Sequence, residues 1–356
     1  MFNFKKVIIT GGCGFIGSAL IRNLLKNTNA RIFNFDKMGL VSDSQSINNL
    51  LNSNPKYQKR YDFFKLNLEN YKKLFETFND ISPDIVFHLA AESHVDRSID
   101  DPLNFLNSNI VGTYNLIESV RKYLKVNKSN NFRLIHISTD EVFGSLGKTG
   151  KFNEKTRYDP KSPYSASKAC SDHLVRAWRH TYKLPFTVTN CSNNYGPWQF
   201  PEKLIPLTIL KILKGEKVPI YGDGMQIRDW LFVEDHVKAL ILIASKGIKN
   251  GDYCIGGNSE ITNLKIVKKI IEIINKKTET NYEFNDLVSF VEDRPGHDLR
   301  YAIDFKKINE ELNWQPSYNF DNSLELTIEW YLNNQDWCNK VQKNANYNSE
   351  RLGYIN

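Results

Sequence analysis

A short glycine-rich turn near the N-terminus limits what this chain can fold into more than any other feature. The apolar stretch 7–9 predicts a strand, and the turn that follows leads directly into a helical pattern of apolar residues. Glycines stand at Gly11, Gly14 and Gly17. There a Cβ atom would block the tight turn, the approach of a pyrophosphate, or the packing of the helix on the strand. Because backbone N–H groups at such a helix start face an anion, the sequence predicts a phosphate-binding turn.

An acidic residue follows the turn at the distance that a dinucleotide site requires. Residues 31–36 predict a second strand, which ends in Asp36 about 20 residues after the turn. This carboxylate can accept hydrogen bonds from both adenosine ribose hydroxyls, whereas it would repel a 2′-phosphate. The sequence therefore favours NAD over NADP as the cofactor, and the neighbouring Lys37 is the residue that weakens this preference.

The order of strands and helices predicts the fold class. Apolar runs at 84–90 and 133–138 are typical of strands that are buried on both faces, and a helix is predicted between them over residues 102–124. Strands that alternate with helices predict an α/β fold with a Rossmann-type doubly wound parallel sheet.

Beyond residue 190 prolines interrupt the pattern, and helices are predicted at 207–214 and 264–276. We expect a smaller C-terminal α/β lobe there that binds the substrate. The expected domains are an NAD-binding domain at 1–190, which also receives elements from about 228–250, a substrate-binding lobe mainly at 191–335, and a C-terminal tail at 336–356.

Composition and charge argue against several other classes of protein. The net charge of +7 is spread along the chain, so nucleic acid is not an expected partner. No apolar run approaches the roughly 20 residues of a membrane span. No export signal is visible, so we expect a cytoplasmic protein. No Cys-x-x-Cys pair occurs, which predicts no metal site and five free thiols at Cys13, Cys170, Cys191, Cys254 and Cys338.

Tyr164 and Lys168 lie four residues apart, on one face of a predicted helix whose first turn carries Pro163. A phenol has an ordinary pKa of about 10, and we expect Lys168 and a cationic nicotinamide to lower the pKa of Tyr164. Tyr164 could then take a proton from a sugar hydroxyl while hydride leaves the same carbon. With the glycine turn, this arrangement is similar to the extended short-chain dehydrogenase/reductase superfamily.

A hydroxyl and two carboxyls end the strand at 133–138, where Thr139, Asp140 and Glu141 follow Ser138. The carboxyl edge of a parallel sheet is where ligands bind in this architecture. The alternative is a surface turn whose acids are solvated.

The stretch 138–144, Ser-Thr-Asp-Glu-Val-Phe-Gly, resembles the Ser-Thr-Asp-Glu-Val-Tyr-Gly motif of dTDP-glucose 4,6-dehydratases, with Phe143 in place of the usual tyrosine. The resemblance covers about residues 5–335. Other stretches that resemble this family lie at 10–17, 88–98, 190–197, 201–206, 221–224, 228–231 and 292–298.

The resemblance implies an internal redox cycle in deoxysugar biosynthesis, of rhamnose or another sugar. Tyr164, helped by Thr139 and Lys168, would remove the O4 proton of glucose as hydride passes from C4 to NAD. Glu141 would abstract the C5 proton while Asp140 protonates the departing C6 hydroxyl. Hydride would return to C6, which makes the enzyme formally a hydro-lyase. These roles require a neutral Asp140 and a charged Glu141.

The resemblance also implies which residues contact the ligands. Those for NAD are Gly11, Gly14, Phe15, Ile16, Gly17, Asp36, Lys37, Asn67, Leu68, Leu89, Ala90, Ala91, Ser93, Ser108, Tyr164, Lys168 and Asn194. Those for dTDP-glucose are Ser93, Thr139, Asn193, Lys203, Leu204, Pro219, Tyr221, Arg228, Asn263, Arg294 and His297. Asn67 stands where the family usually has aspartate, and its amide oxygen can still accept from adenine. Arg228 and Arg294 suit a pyrophosphate because a guanidinium donates two parallel hydrogen bonds.

The family further implies a homodimer through the helices at 102–124 and 163–182, although burial inside one subunit would give the same apolar stripe. Four other functions fit part of the pattern. A UDP-glucose 4-epimerase or a UDP-glucuronate decarboxylase would have no use for Asp140 with Glu141. A UDP-glucose 4,6-dehydratase would differ by one methyl group of the substrate. A non-catalytic NAD-sensing protein would need neither acid, nor Tyr164 and Lys168.

Overall fold

The computed structural model of the protein describes residues 2–127, 131–248, 250–349 and 352. The strands are β1 (Lys6–Thr10), β2 (Arg31–Asp36), β3 (Tyr61–Lys65), β4 (Ile85–His88), β5 (Arg133–Thr139), β6 (Phe186–Cys191), β7 (Asn193–Tyr195), β8 (Val218–Tyr221), β9 (Ile227–Phe232), β10 (Asp252–Ile255), β11 (Glu260–Thr262) and β12 (Val288–Val291). The α-helices are α1 (Phe15–Asn27), α2 (Gln45–Ser53), α3 (Pro55–Gln58), α4 (Tyr71–Ile81), α5 (Val95–Asp100), α6 (Pro102–Phe105), α7 (Gly112–Val126), α8 (Pro163–Tyr182), α9 (Leu204–Leu213), α10 (Val233–Lys246), α11 (Asn263–Thr278), α12 (Phe284–Leu287), α13 (Lys306–Leu312), α14 (Phe320–Asn333) and α15 (Gln335–Asn344).

Seven parallel strands form the main sheet, in the order β3-β2-β1-β4-β5-β6-β10. The predicted Rossmann-type doubly wound α/β fold is thereby confirmed. The strand order reverses between β1 and β4, and ligands of such sheets bind in the crevice at this point, beyond the carboxyl ends of the strands. The predicted site residues must therefore be sought at that edge.

The alternation of side chains along β1 explains why both faces of the sheet are covered. Val7 and Ile9 belong to a core that contains residues of α1 and α10, whereas Ile8 belongs to a second core with residues of α4 and α7. All three side chains are fully buried. Because successive side chains of a strand point to opposite faces, a run of apolar residues can be buried only between two layers of helices.

The second half of the chain contributes to both lobes. β7, β9 and β11 form a three-stranded sheet, and β8 pairs with β12. These strands share a separate core with α9, α11, α14 and α15. The region at about 228–250 was expected to return to the first domain. Its helix α10 packs against α1. The strand that follows this helix, β10, is the last strand of the main sheet.

The helix predicted over residues 102–124 is present, but it is not α-helical throughout. A π-helical turn at Leu106–Val111 joins α6 to α7. In that turn the Asn109 side chain is buried; its Oδ1 accepts from the Glu92 N–H at 2.8 Å, and its Nδ2 donates to Ser167 Oγ at 2.8 Å. Apolar residues at helical spacing cannot reveal such a local widening of the helix.

The expected C-terminal tail contains helix α15, which packs into the core of the smaller lobe. Trp337 is 5% exposed, and its ring lies against Trp198 and Trp330, with ring centroids 5.2 Å apart in each pair. Its Nε1 donates to Asp43 Oδ2 at 3.1 Å. The residues of the tail beyond 349, except Leu352, lie outside the described residues. α15 therefore ties the smaller lobe to the loop that follows β2.

We expect Trp337→Ala to lower the free energy of unfolding by about 3–5 kcal/mol, because it removes a large buried ring and leaves a cavity. Urea unfolding followed by circular dichroism measures this loss. Asn339→Ala, at an exposed position of the same helix, is the control and should change the value by less than about 0.5 kcal/mol. Equal stability of the two variants would show that α15 is not part of the core.

Candidate active site

The glycine-rich turn lies at the carboxyl end of β1, as predicted. Gly11 has a φ of +70°, and a Cβ atom there would lie 2.7 Å from backbone atoms of Ala90. At Gly17 a Cβ atom would overlap the carbonyl oxygen of Gly11. Helix α1 begins immediately after Gly14, which has no side chain to cap the first N–H groups. The turn thus leaves backbone donors and room for an anion, as the pyrophosphate of NAD requires.

Asp36 lies at the end of β2, where its carboxylate is held against the turn. Oδ2 accepts from the Cys13 N–H at 2.9 Å, and Oδ1 accepts from the Met38 N–H at 2.8 Å and from Ser42 Oγ at 3.0 Å. Burial raises the pKa of Asp36, while these three hydrogen bonds oppose the rise. A carboxylate has about four acceptor positions, so capacity for a ribose hydroxyl remains. The residues present therefore fit NAD.

One cleft collects every residue that the resemblance implied for NAD, and their contact with the cofactor stays a prediction. The cleft wall contains Gly11, Gly14, Phe15, Ile16, Gly17, Asp36, Lys37, Asn67, Leu68, Leu89, Ala90, Ala91, Ser93, Ser108, Tyr164, Lys168 and Asn194. Thr139, Asn193 and Lys203, which were implied for the substrate, line the same cleft.

Lys37 is paired across this cleft. Its Nζ lies 2.7 Å from Glu92 Oε1 and donates to Ser108 Oγ at 3.3 Å. Lys37 follows β2 and Glu92 follows β4, so the pair joins the loops on either side of the β1 turn. The cation that weakened the preference for NAD is thus already matched by a carboxylate of the chain.

Several wall residues of the cleft were missed in the sequence. Leu40, Val41 and Asp43 come from the loop after β2, and Trp337 comes from α15. None of them belongs to a recognised motif, and Trp337 reaches the cleft only because α15 packs onto the smaller lobe. Trp337, Cys338 and Val341, spaced as on one face of a helix within the predicted tail, were the one available signal.

The catalytic turn begins where β5 ends. Thr139 caps a 3₁₀ turn at Asp140–Phe143, and its Oγ1 accepts from the Glu141 N–H at 3.2 Å. Thr139 Oγ1 also donates to Asp140 Oδ1 at 3.3 Å. Asp140 is 1% exposed, and its Oδ2 has no hydrogen-bond partner among the residues that the structure describes. The alternative of a solvated surface turn is therefore wrong.

Asp140 lies in surroundings that favour its neutral form. Burial raises the pKa of this carboxyl well above its ordinary range, and the charges of Glu141 and Asp229 raise it further. Arg228 and a hydrogen bond from Thr139 oppose the rise. A protonated carboxyl can donate a proton, so the unpartnered Oδ2 suits a general acid.

Glu141 is half-buried and has different neighbours from Asp140. Burial raises its pKa above the ordinary value, and Arg294, Lys203 and Arg228 oppose the rise. Three cations from the smaller lobe thus favour the charged form of Glu141, whereas the pKa of Asp140 lies well above its ordinary range. Of the two carboxyls, Asp140 is the one that suits an acid and Glu141 the one that suits a base.

Tyr164 and Lys168 lie on helix α8, as predicted. The helix begins at Pro163, after a capping box formed by Ser162 and Ser165. Tyr164 is 7% and Lys168 4% exposed. Lys168 Nζ donates to the carbonyl oxygen of Ile137 at 2.9 Å.

The expected low pKa of Tyr164 is wrong for the protein without its cofactor. Burial raises the pKa of Tyr164 well above 10, and Glu141 and Cys191 raise it further, while a hydrogen bond from Thr139 opposes them. The chain therefore holds the phenol protonated. The nicotinamide charge, which is the other half of that expectation, comes with NAD.

Asp96, which no prediction named, links two of the expected substrate residues. Its Oδ2 accepts from the Tyr221 hydroxyl at 3.2 Å, and its Oδ1 accepts from Arg294 Nη1 at 2.9 Å. Burial lowers the pKa of Arg294, but Asp96 and Glu141 outweigh it and hold that pKa above the ordinary value. Asp96 lies within the stretch 88–98 of the resemblance, so the signal was present.

Arg228 and His297 lie beside these residues. Arg228 Nη2 donates to the carbonyl oxygen of Asp298 at 3.0 Å, and its guanidinium lies 4.2 Å from the ring centroid of Tyr301. Burial, with Arg294 and Arg228 nearby, lowers the pKa of His297 to about 4, although its Nδ1 lies 2.6 Å from Asp293 Oδ1. His297 is thus a neutral ring at physiological pH.

The other predicted substrate residues of the smaller lobe lie in or next to β7, α9, β8 and α11. Lys203 Nζ donates to the Ser93 carbonyl oxygen at 2.9 Å. Asn193 and Asn263 each have a buried Oδ1 without a hydrogen-bond partner in the described part of the chain. Half-buried residues in α9 and β8 complete the set, and their contact with substrate stays a prediction; they are Leu204 and Pro219.

A metal site is absent from the described ranges 2–127, 131–248, 250–349 and 352. Within them, no three His, Cys, Asp or Glu side chains are grouped so that they could hold a metal ion. The five cysteines are free thiols, as predicted. No helix in those ranges is long and apolar enough to cross a membrane.

Comparisons with known proteins agree with this geometry. A family model described as GDP-mannose 4,6 dehydratase matches residues 8–327. The dTDP-glucose 4,6-dehydratase of Neisseria meningitidis serogroup B is 49% identical over 357 aligned residues, which cover 98% of this chain and 99% of that protein.

Solved structures of two such enzymes resemble the whole chain. That of dTDP-glucose 4,6-dehydratase from Bacillus anthracis in complex with NAD is 39% identical, with a TM-score of 0.84, and the match covers 95% of this chain and 99% of that one. That of the enzyme from Streptomyces venezuelae with NAD bound is 34% identical, with a TM-score of 0.86 and coverage of 94% and 99%. Matched in sequence and fold over nearly its full length, the chain belongs to the nucleotide-sugar 4,6-dehydratases of the extended short-chain dehydrogenase/reductase superfamily, and within them to the dTDP-glucose 4,6-dehydratase family.

Proposed function

We propose that this protein converts dTDP-glucose into dTDP-4-keto-6-deoxy-glucose with loss of water. The observation that carries the proposal is a pair of adjacent carboxyls beside Tyr164: buried Asp140, whose pKa is raised well above its ordinary range, and half-buried Glu141, whose charged form is favoured by three cations. The NAD that the cleft fits supplies, when bound, an acceptor for the C4 hydride and a donor of that hydride to C6.

Tyr164 handles the O4 proton of the sugar. Its phenol is protonated at rest, so it must first release that proton to solvent and can then accept the one from O4. Three features favour the phenolate: the hydrogen bond from Thr139, the ammonium of Lys168 on the next turn of α8, and the positive charge of the nicotinamide when NAD is bound. The ketone formed at C4 then acidifies the C5 proton.

Glu141 and Asp140 carry out the elimination. Glu141, whose charged form its three cations favour, removes the C5 proton, while neutral Asp140 gives a proton to the departing C6 hydroxyl. The C5–H and C6–O bonds break, a C5–C6 double bond forms, and water leaves. Return of the hydride to C6 and of the proton from Glu141 to C5 completes the 4-keto-6-deoxy product. Both carboxyls act from one turn of chain, so both protons move on the same side of the sugar.

The smaller lobe supplies the charges that bind the diphosphate. Arg228 and Arg294 are each held by one or two bonds within the chain, Arg228 to backbone carbonyls and Arg294 to Asp96. A guanidinium has five N–H donors, so donors remain for a pyrophosphate. We assign this role to both arginines.

The alternatives have less support. A 4-epimerase or a decarboxylase of the same superfamily needs the tyrosine and the lysine but not a buried carboxyl adjacent to a second carboxyl that faces three cations. Asp140 Oδ2 is buried without a hydrogen-bond partner among the described residues, and this costs stability. A non-catalytic NAD-sensing protein would have no reason to retain such a carboxyl.

We also propose a cytoplasmic location. All five cysteines of the chain are unpaired, which is typical of proteins in a reducing compartment.

Purified protein incubated with dTDP-glucose is expected to yield the 4-keto-6-deoxy product. Glu141→Gln should lower kcat by about 10²–10⁴-fold and abolish exchange of the C5 proton with solvent, because the amide cannot act as a base. Reduced nicotinamide should still form, since oxidation at C4 does not need Glu141. Product analysis by NMR in D₂O measures both, with Glu76→Gln at an exposed position of α4 as the control.

Other outcomes would overturn the assignment. Galactose as the product would identify an epimerase, and retention of NAD without turnover of any nucleotide sugar would identify a sensor. Initial rates with dTDP-glucose and UDP-glucose, measured side by side, decide the nucleotide. One methyl group in an apolar pocket is worth about 1 kcal/mol, or roughly fivefold in kcat/KM in favour of dTDP-glucose.

Asp140→Asn is expected to raise the melting temperature at neutral pH while it abolishes turnover. A carboxyl whose pKa is higher in the folded protein than in the unfolded chain destabilises the fold wherever the unfolded carboxyl is ionised. The gain should therefore disappear as pH falls below about 3.9, where the carboxyl is protonated in both states. Thermal melts across pH measure it. Asp80→Asn, at an exposed position, is the control; a loss of stability at neutral pH would contradict the proposed protonation of Asp140.

We propose that two copies associate through α6, α7 and α8. Leu103, Leu106 and Tyr114 are 62%, 41% and 44% exposed, although the stripe they begin continues into buried residues of α7. The Tyr114 ring packs edge-on against Trp178, which in turn packs against Tyr182 of the same helix α8. Exposed apolar residues from two adjacent helices thus form one continuous face, of the kind that marks a protein interface.

Tyr114→Glu is expected to convert the dimer into a monomer, because it places a charge in an apolar interface. Sedimentation velocity measures the mass of each species. Leu326→Glu serves as the control, since Leu326 is 50% exposed on the distant helix α14. The proposed interface is wrong if the unmodified chain sediments as a monomer at micromolar concentration, or if both variants remain dimeric.

A further inference from the structure

We propose that Asp172 is a positioning residue for this reaction: it supplies the counter-charge of Lys168 and anchors the strand end that carries Thr139. The proposal rests on the proposed function, which uses both of these residues. Asp172 touches neither cleft nor substrate, and the chemistry described above gives it no part.

Helix α8 places three functional groups in one row. Tyr164, Lys168 and Asp172 follow each other at intervals of four residues, so their side chains lie on one face of the helix. They are 7%, 4% and 0% exposed. A fully buried carboxyl is rare unless it is paired, so its position in this row requires an explanation.

Asp172 is ionised, because both of its oxygens accept hydrogen bonds. Oδ1 lies 2.9 Å from His136 Nε2, and Oδ2 accepts from the Tyr158 hydroxyl at 2.7 Å and from Asn190 Nδ2 at 3.3 Å. Burial alone would raise the pKa of Asp172, but the bond from His136 and the nearby Lys168 bring it below the ordinary value.

His136 does not neutralise this charge. Burial, together with Lys168, lowers the pKa of His136, so the ring is neutral and its N–H on Nε2 donates to Asp172. His136 Nδ1 is buried without a hydrogen-bond partner among the described residues, as expected for the unprotonated nitrogen of a neutral ring. The negative charge of Asp172 therefore remains for nearby cations to balance. These are Lys168 and Arg176, and Arg176 is also paired with Asp252 at 2.8 Å.

Lys168 needs such a counter-charge. Burial lowers the pKa of its ammonium, and Asp172 together with the thiol of Cys191 on β6 opposes that shift. The other titratable groups that face Lys168 are His136 on β5 and His88 on β4, and burial lowers the pKa of both rings. Asp172 is therefore the carboxylate that favours the charged form of Lys168.

A second connection runs from Asp172 to the catalytic turn. Asn190 Nδ2 donates to Asp172 Oδ2 and also to the carbonyl oxygen of Thr139 at 3.0 Å. The Thr139 carbonyl is the last of β5, directly before Asp140. One carboxylate thus fixes α8, β5 and β6 at the level where Tyr164 and Thr139 meet.

Asp172→Asn tests the proposal, because the amide matches the carboxylate in size and lacks its charge. We expect the alkaline limb of the pH profile for oxidation at C4 to move down by about one pH unit or more, since Lys168 then loses its proton more easily. At pH 8 the rate should fall about tenfold. KM for dTDP-glucose should stay within about twofold, because Asp172 does not face the substrate. Rapid-mixing absorbance of reduced nicotinamide measures the rate.

Two further variants separate charge from packing. Asp172→Glu keeps the charge and should restore the limb to within a few tenths of a pH unit, even if the longer side chain lowers the melting temperature. Asp172→Ser replaces the amide variant if that variant does not fold, and it should show the same shift of the alkaline limb.

The matched control is Asp235→Asn. Asp235 is a buried carboxylate, 1% exposed and remote from α8, that accepts from the N–H groups of Ser317 and Tyr318. This variant should lower the melting temperature without moving the alkaline limb.

The outcomes are distinguishable from failure of the proposed function. If the unmodified protein does not convert dTDP-glucose, the function is wrong. If it does, and the neutral variants lower rate and melting temperature equally at every pH with the limb unmoved, Asp172 is merely structural and the inference is wrong.

Discussion

At the carboxyl edge of β5 the fold takes charged side chains out of water, and much of the surrounding structure serves to make this tolerable. Asp140, Lys168 and Asp172 are at most 4% exposed. An unpaired charge in such surroundings costs several kcal/mol, so it must be neutral, paired or hydrogen-bonded. Burial and like charge keep Asp140 neutral, while Lys168 and Asp172 balance one another under the catalytic turn. The charge balance of the site thus depends on the packing of α8 on the sheet.

The smaller lobe completes the site electrically. Arg228, Arg294 and Lys203 belong to different elements of that lobe or its loops, yet all three act on the pKa of Glu141, which lies in the turn after β5 of the main sheet. The base is therefore prepared only when the two lobes are packed together. Trp337 and the pair of Lys37 with Glu92 add connections at the far end of the same cleft, where the adenosine of NAD is expected.

Local motifs could be predicted from the sequence, whereas features that depend on distant contacts could not. The turn from Gly11 to Gly17, Asp36 and the Tyr164–Lys168 pair each follow from a few neighbouring residues, and the structure places them in one cleft. The pKa of Tyr164 depends on burial beneath several elements and on Glu141, so the sequence could not show that the chain by itself raises it. Asp172 and His136 carry no motif in the sequence, because a buried pair becomes visible only when a strand and a helix meet.

The π-helical turn at Leu106–Val111 determines in which direction the side chains of α7 point relative to those of α6. Each residue of an α-helix advances the side chain by about 100°, so the looser turn offsets everything after it from everything before it. With that offset, Leu103 and Leu106 face outward while Asn109 reaches Glu92 and Ser167 inside. The segment can therefore present an apolar outer face and an inner polar contact to the cleft within three turns. A deletion of one residue there would rotate the outer apolar face relative to the inner polar contact. The number of residues in this turn therefore matters more than which residues they are.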